Sequence, residues 1–154
     1  MSAAKLGADK GGRGYAVWRD ISTRWLDNDA YGHANNVVYY SWFDTAVNAW
    51  LIETGLLDVQ TGPVIGLVVE TACKFNRSVA FPELVSTGIR IARLGNSSVR
   101  WEIGIFTPGH EAPAAEGHFV HVYVDRVTRR PVRVPDGWRD KMAVLVLDSG
   151  GEGL

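Results

Sequence analysis

The stretch NVVYYSWFDTAVNAWLIET, residues 36–54, sets its polar side chains Ser41, Asp44, Thr45 and Asn48 on one stripe at helical spacing. Tyr39, Trp42, Phe43, Ala46, Val47, Ala49 and Trp50 occupy the remainder of the surface. The pattern predicts one long helix, Asn36–Thr54, with Gly55 just past its end. About nineteen residues at ~1.5 Å rise give roughly 28 Å, enough to cross the face of a small sheet. A helix with so few polar positions is expected to be wrapped by that sheet.

The flanking sequence supplies the strands. YAVWRDISTRW, residues 15–25, reads as one. Four strand-like runs follow the helix: Val64–Asn76, Leu84–Leu94, Val99–Phe106 and Ala114–Val124. In the second, Val85, Thr87, Ile89 and Ile91 share a face. The turns LGNSS and PGHEAP separate the later runs. PDGWRDKMAVLVL reads as a short closing helix opened by a cap at Asp136. One buried helix followed by a mostly antiparallel sheet is an α+β architecture. Residues 1–14 and 148–154 are Gly-rich and aperiodic, so a flexible arm and tail are expected around a single domain, 15–147.

Composition narrows the function classes. A chain of 154 residues with 46% apolar and 21% charged residues has the balance of one globular domain. Its net charge of -1 offers no global basic field for nucleic acid or an acidic membrane, so a phosphate-bearing ligand needs a local cluster. Cys73 is the single cysteine, which excludes a disulfide framework and makes a reducing compartment the default. The N-terminus lacks the apolar core of a signal peptide, and the aliphatic runs are too short to span a bilayer; a cytoplasmic protein is expected. Six tryptophans should fill the core, and any left exposed points to a subunit interface or an acyl pocket.

The junction before the helix, LDNDAYGHANN (residues 26–36), concentrates polar chemistry. A helix start presents unpaired N–H groups that polarise a carbonyl or hold an oxyanion, and Asn35 or Asn36 fits its first position as a cap. Asp27 and Asp29 suit turn chemistry. A calcium loop fails, because Tyr31 and Val38 stand where oxygen ligands are required. A transition metal on Asp27, Asp29 and His33 gains nothing from His118 and His121, which should face opposite ways on their strand. No metal is expected. The remaining reading is a catalytic carboxylate beside an oxyanion-stabilising helix terminus, with His33 and Asn35 positioning groups around it.

RWLDNDAYGHANNVVYYSWFDTA, residues 24–46, resembles the signature D-x-D-x-x-G-H-x-N-N-x-x-Y of hotdog-fold acyl-CoA thioesterases of the hydroxybenzoyl-CoA thioesterase class. FNRSVAFPELV, IARLGNSSVRWEIGIF and VDRVTRRPVRVPDGWRD extend the likeness over roughly residues 15–140. The resemblance implies a long helix wrapped by a curved antiparallel sheet. It also implies a homodimer, with pairing into a homotetramer open, and active sites that combine two chains. It places the catalytic carboxylate on Asp29, the carbonyl-polarising helix terminus near Asn36, and the H-x-N-N histidine and first asparagine on His33 and Asn35. Acyl-ACP thioesterases of plants carry a related motif with a later acidic residue and cysteine. Here Tyr31 replaces that motif's asparagine, and Ser78 and Val79 stand at the later positions.

The implied reaction is hydrolysis of an acyl thioester to a carboxylic acid and free CoA, with CoA as part of the substrate and no cofactor. Asp29 would attack the carbonyl or deprotonate water; an ordinary aspartate, pKa about 4, is a poor base at neutral pH, which leans toward attack. The run DRVTRRPVR places Arg126, Arg129, Arg130 and Arg133 close together as a candidate grip on the nucleotide phosphates, with Arg93, Ser97 and Ser98 as further candidates. Tyr39, Trp42 and Phe43 are candidates for the acyl pocket. The alternatives are a non-catalytic acyl-CoA-binding hotdog protein and a hotdog dehydratase; the latter's Asn-Pro-x-His run is missing.

Overall fold

The expected helix forms as α1, Asn36–Glu53. It ends one residue earlier than its pattern suggested because Thr54 closes it: the Thr54 hydroxyl donates to the Trp50 carbonyl at 2.8 Å, and Gly55 follows at φ 79°, where glycine pays no steric cost. The computed structural model describes residues 5–6 and 13–147. Around α1 the chain forms β1 (Lys5–Leu6), β2 (Val17–Ser22), a 3-10 turn at Trp25–Asp27, β3 (Val64–Phe75), β4 (Leu84–Leu94), β5 (Ser98–Phe106), β6 (Ala115–Asp125) and α2 (Asp136–Ala143). Of the expected arm and tail, residues 1–4, 7–12 and 148–154 lie outside the described residues, whereas Lys5–Leu6 pairs with β2.

The strands make one antiparallel sheet in the order β1-β2-β4-β5-β6-β3. The helix and the sheet wrapped around it form the hotdog arrangement. Its concave face carries Val85, Thr87, Ile89 and Ile91 of β4, all fully buried as their alternation required, with Val99, Trp101, Ile103 and Ile105 of β5 beside them. From α1 they receive Tyr39, Trp42, Phe43, Ala46, Val47, Trp50 and Leu51. Ser41, Asp44 and Thr45 stay exposed, as the polar stripe predicted. Buried Arg19 of β2 pairs with Glu53, anchoring the far end of α1 to the sheet.

Two sequence expectations are corrected. The first strand is shorter than residues 15–25: it breaks after Ser22, where the Thr23 hydroxyl donates to the Glu83 carbonyl at 2.6 Å and the chain turns into the 3-10 segment. Asp136 does not cap α2. It is the first helical residue, following Pro135, which occupies the cap position without a side-chain bond.

The convex face holds a second, small aromatic cluster of Tyr15, Trp18 and Phe106. Gly88 and Gly104, partners across β4 and β5, make room for it; a Cβ on either would stand 2.7 Å from the Tyr15 side chain. Four of the six tryptophans are buried, whereas Trp25 is 75% exposed beside Phe81.

Candidate active site

The polar junction folds as a small loop pinned at both ends. Asp27 is buried and closes the 3-10 turn: its carboxylate accepts from the Arg24 amide at 2.8 Å and from the Arg24 guanidinium at 2.7 Å. Its role is structural. Asn28 and Ala34 form an isolated antiparallel bridge. The Asn28 side chain accepts from the Phe81 amide at 3.1 Å, and the Ala34 amide donates to the Val79 carbonyl at 2.7 Å. Between them the chain reverses through Gly32, at φ 82°. The turn is closed by the Asp29 amide donating to the His33 carbonyl at 2.9 Å and the Gly32 amide to the Asp29 carbonyl at 3.0 Å.

This loop and the start of α1 face the end of β3 across an open cleft of about 380 Å³, lined by Asp29, Tyr31, His33, Asn36, Tyr39 and Phe75, and by the Asn76–Ser78 segment. Three of the four expected catalytic residues, Asp29, His33 and Asn36, meet there. Asn35 does not line the cleft. It is the N-cap, its side chain accepting from the Val37 amide at 3.1 Å. With Val37 and Val38 amides taken up by Asn35, the Asn36 amide is a helix-terminal donor without an acceptor among the described residues. The Asp29 carboxylate accepts only from the Tyr31 amide, at 2.8 Å, among the described residues.

Of the aromatic candidates, Tyr39 lines the cleft with its ring 4.9 Å from that of Phe75. Burial pushes its hydroxyl above the ordinary tyrosine range, so it stays a protonated donor. Trp42 packs behind Tyr39 at 4.9 Å between ring centroids. Phe43 is fully buried against the sheet and belongs to the core. Sequence reasoning missed Tyr31, Phe75, Asn76, Arg77 and Ser78 as lining residues. The available signal was the polar run NRS directly after a strand, which the fold carries to the helix start. Arg77 is held by its guanidinium on the Thr107 hydroxyl at 2.8 Å.

The expected phosphate-binding residues do not reach this cleft within one chain. Arg93, Ser97, Ser98, Arg129 and Arg130 sit where β4 ends, β5 begins and β6 ends. The cleft lies at the opposite end, beyond the start of β6. About ten residues of strand at ~3.4 Å each separate the two, roughly 30 Å. Arg126 is spent on the Gly62 and Val59 carbonyls, and Arg133 on Asn96 and Asp136. Arg93, Arg129 and Arg130 keep their guanidinium groups without acceptors among the described residues.

Cys73 lies on β3 opposite Gly117 and packs against the main core on the helix-facing side of the sheet, outside the lining of the cleft. Burial raises its thiol to about 11, which keeps it protonated and unreactive at neutral pH. Among the described residues no three His, Cys, Asp or Glu side chains gather as a metal-binding group. His118 and His121 face opposite ways: His118 bonds Glu70 at 2.8 Å on the convex side, and His121 is buried between Phe119 and Trp101.

Burial lowers the His121 imidazole to about 4, against an ordinary 6.5. The unfolded chain then binds the extra proton below pH 6.5 and the folded chain does not, so stability is complete above pH 6.5 and is lost as pH falls toward 4. The difference is worth roughly 3 kcal/mol. Thermal unfolding of the native protein at pH 7 and pH 4.5 should show a fall that His121→Phe reduces; equal falls in both proteins would assign the acid sensitivity elsewhere.

The comparisons assign the fold to a family. The family model of the thioesterase-like superfamily matches residues 23–142. A crystal structure of the PA5185 protein of Pseudomonas aeruginosa PAO1 is 53% identical, covering 87% of this chain and 94% of its own, with a TM-score of 0.84. The PA2801 protein of Pseudomonas aeruginosa, described as a putative thioesterase, is 30% identical over 80% of this chain and 95% of its own, with a TM-score of 0.76. A Thermus thermophilus thioesterase complexed with coenzyme A and zinc is 26% identical over 86% and 95%, with a TM-score of 0.73. No functionally curated protein matches the chain. No helix among the described residues is long and apolar enough to cross a membrane. With a match running from the loop before α1 into the closing helix, the chain belongs to the thioesterase-like superfamily and is a hotdog-fold thioester hydrolase.

Proposed function

We propose that the cleft hydrolyses acyl thioesters of coenzyme A. The observation that carries this reading is the meeting, in one cleft, of the Asp29 carboxylate and the unengaged Asn36 amide at the start of α1. A thioester carbonyl set on that amide is polarised by a donor aimed where negative charge develops, an arrangement worth about 3 kcal/mol per donor elsewhere. Asp29 supplies the other half. It either adds to the carbonyl carbon, expelling the thiolate and leaving a mixed anhydride that water opens, or takes a proton from water as the water oxygen adds and the C–S bond breaks. Both routes deliver the acid and the thiol. The coenzyme A held by the Thermus thermophilus relative supports this class of carrier. The test is thiol release from a panel of acyl-CoAs; tight binding without release from any of them would replace the enzyme with an acyl-CoA sensor.

The functional unit in this reading is a homodimer built through β3. This strand is the sheet edge beyond β6 and exposes Leu67, Val68, Val69 and Phe75; an exposed edge with apolar side chains is a template for a second strand. Antiparallel pairing of two such strands about their centre brings the far end of one sheet, with Arg129 and Arg130, to the side of the other chain's cleft. The wild-type protein should run at twice its 16.9 kDa chain mass in light scattering. Val69→Asp, which faces two like charges across the axis, should shift it toward monomer with loss of activity. A dimer unchanged by that substitution would place the interface elsewhere.

A further inference from the structure

A second cavity, of about 120 Å³, lies under the C-terminal half of α1. Asn48 and Leu51 of the helix, Ile65 of β3, His121 and Tyr123 of β6 and Trp138 of α2 line it. Its walls are mainly apolar and its floor is polar. His121 is only 4% exposed, and its one hydrogen-bonding contact among the described residues is Tyr123 Oη, 3.5 Å from Nδ1. That distance is the outer limit of a useful bond, so the ring keeps capacity to spare. The Trp101 indole N–H behind it is buried without a geometrically sound acceptor and leans on the same Tyr123 hydroxyl. Buried polar atoms left in this state cost stability unless something pairs them.

Gly66 keeps the floor open from the edge strand: a Cβ there would stand 3.1 Å from the Tyr123 ring and 3.5 Å from His121 Nδ1. It sits at the Val64 end of β3, whereas Phe75 at the other end lines the catalytic cleft. In an antiparallel pair of β3 strands centred between Val69 and Glu70, the Val64 end of one lies beside the Phe75 end of the other. The small cavity of each protomer then stands next to its partner's cleft.

We propose that this cavity receives the distal end of the acyl group whose thioester occupies the partner's cleft, and that His121 and Tyr123 select an uncharged end bearing a hydroxyl or carbonyl oxygen. This rests on the thioesterase reading and on β3 pairing. At the ~30 Å³ that a water occupies, the space admits about four non-hydrogen atoms. A neutral imidazole offers one donor and one acceptor, which suits a hydroxyl. A carboxylate or ammonium end is excluded, because no lining group carries a compensating charge.

The test compares ω-hydroxyacyl-CoAs with unsubstituted acyl-CoAs of equal length from four to ten atoms. It reads thiol release from the wild type and, separately, calorimetric binding to Asp29→Asn, which needs no turnover. At one length the hydroxylated thioester should be preferred about 5- to 10-fold, the range of one net hydrogen bond. Tyr123→Phe and His121→Leu should each erase the preference while plain acyl-CoAs are still hydrolysed. If His121→Leu fails to fold, Tyr123→Phe decides alone. Absence of a preference at every length, or one that both variants retain, overturns the proposal and leaves the cavity to ordered water. Selective binding without thiol release from any substrate keeps the pocket and overturns the thioesterase reading.

Discussion

Asp29→Asn should lower thiol release roughly 10³-fold, the middle of the range for loss of a positioned acid–base group, with an unchanged melting temperature. The substitution is close to isosteric, and its amide oxygen can still accept the Tyr31 N–H that the carboxylate holds at 2.8 Å. The backbone bonds closing the loop, Asp29 amide to His33 carbonyl and Gly32 amide to Asp29 carbonyl, do not involve the side chain. What disappears is the negative charge in the cleft, and with it both the nucleophile and the base. Folding is therefore separated from chemistry. Calorimetric binding of a nonhydrolysable acyl-CoA thioether should remain within a few-fold of wild type, since the Asn36 amide and the rest of the cleft stay in place. Retention of more than a tenth of the native rate would remove Asp29 from the mechanism.

The largest expected effect on stability belongs to Gly117→Ala, near the start of β6. Gly117 pairs with Cys73 of β3 and Ile103 of β5, and the Phe43 ring of α1 lies directly on it. A Cβ at this position would stand 2.5 Å from the Ala72 carbonyl oxygen and 2.5 Å from Phe43 Cε2. The first of these is backbone in a paired strand and has little freedom to yield. The second belongs to a ring with no solvent exposure. Overpacking of this kind should cost about 3 kcal/mol. Urea unfolding should report a lower midpoint at constant slope. Because Phe43 seats the helix whose first turn forms the site, activity should fall as well. A midpoint within error of wild type would mean that α1 rides on the sheet more loosely than its contacts indicate.

Long-range order in this protein begins with the same helix. Its span, its polar stripe and its burial were legible in residues 36–54, because an apolar surface broken by one stripe has only one way to leave water. The alternation in Leu84–Leu94 was equally decisive, since period two assigns Val85, Thr87, Ile89 and Ile91 to one face wherever the strand lies. The grouping of Asp29, His33 and Asn36 was visible too, being local: eight residues of chain hold all three.

Residues that reach the site from elsewhere were not legible in that way. Phe75, Asn76, Arg77 and Ser78 join the cleft only because the Val79 carbonyl takes the Ala34 amide and draws the end of β3 to the start of α1. The polar run NRS marks a segment with unspent side chains, but which element it meets is set by that distant hydrogen bond. Asn35 and Asn36, adjacent and chemically identical, received different tasks from one backbone rotation: the first turned outward at φ -65°, ψ 146° to cap the helix, and the second entered it and kept a donor free. The arginines of the run DRVTRRPVR read as a candidate grip on nucleotide phosphates, and β6 carries them to the end of the sheet away from their own chain's cleft.

By itself, then, the sequence determined what is set by period and proximity: one long buried helix, an antiparallel sheet, and a carboxylate beside a helix terminus. Only the tertiary structure decided which distant segment walls the cleft, which asparagine caps, and that Gly117 must lack a side chain. Those outcomes depend on strand order and register, which are chosen by how the whole core closes and not by any one segment's preference.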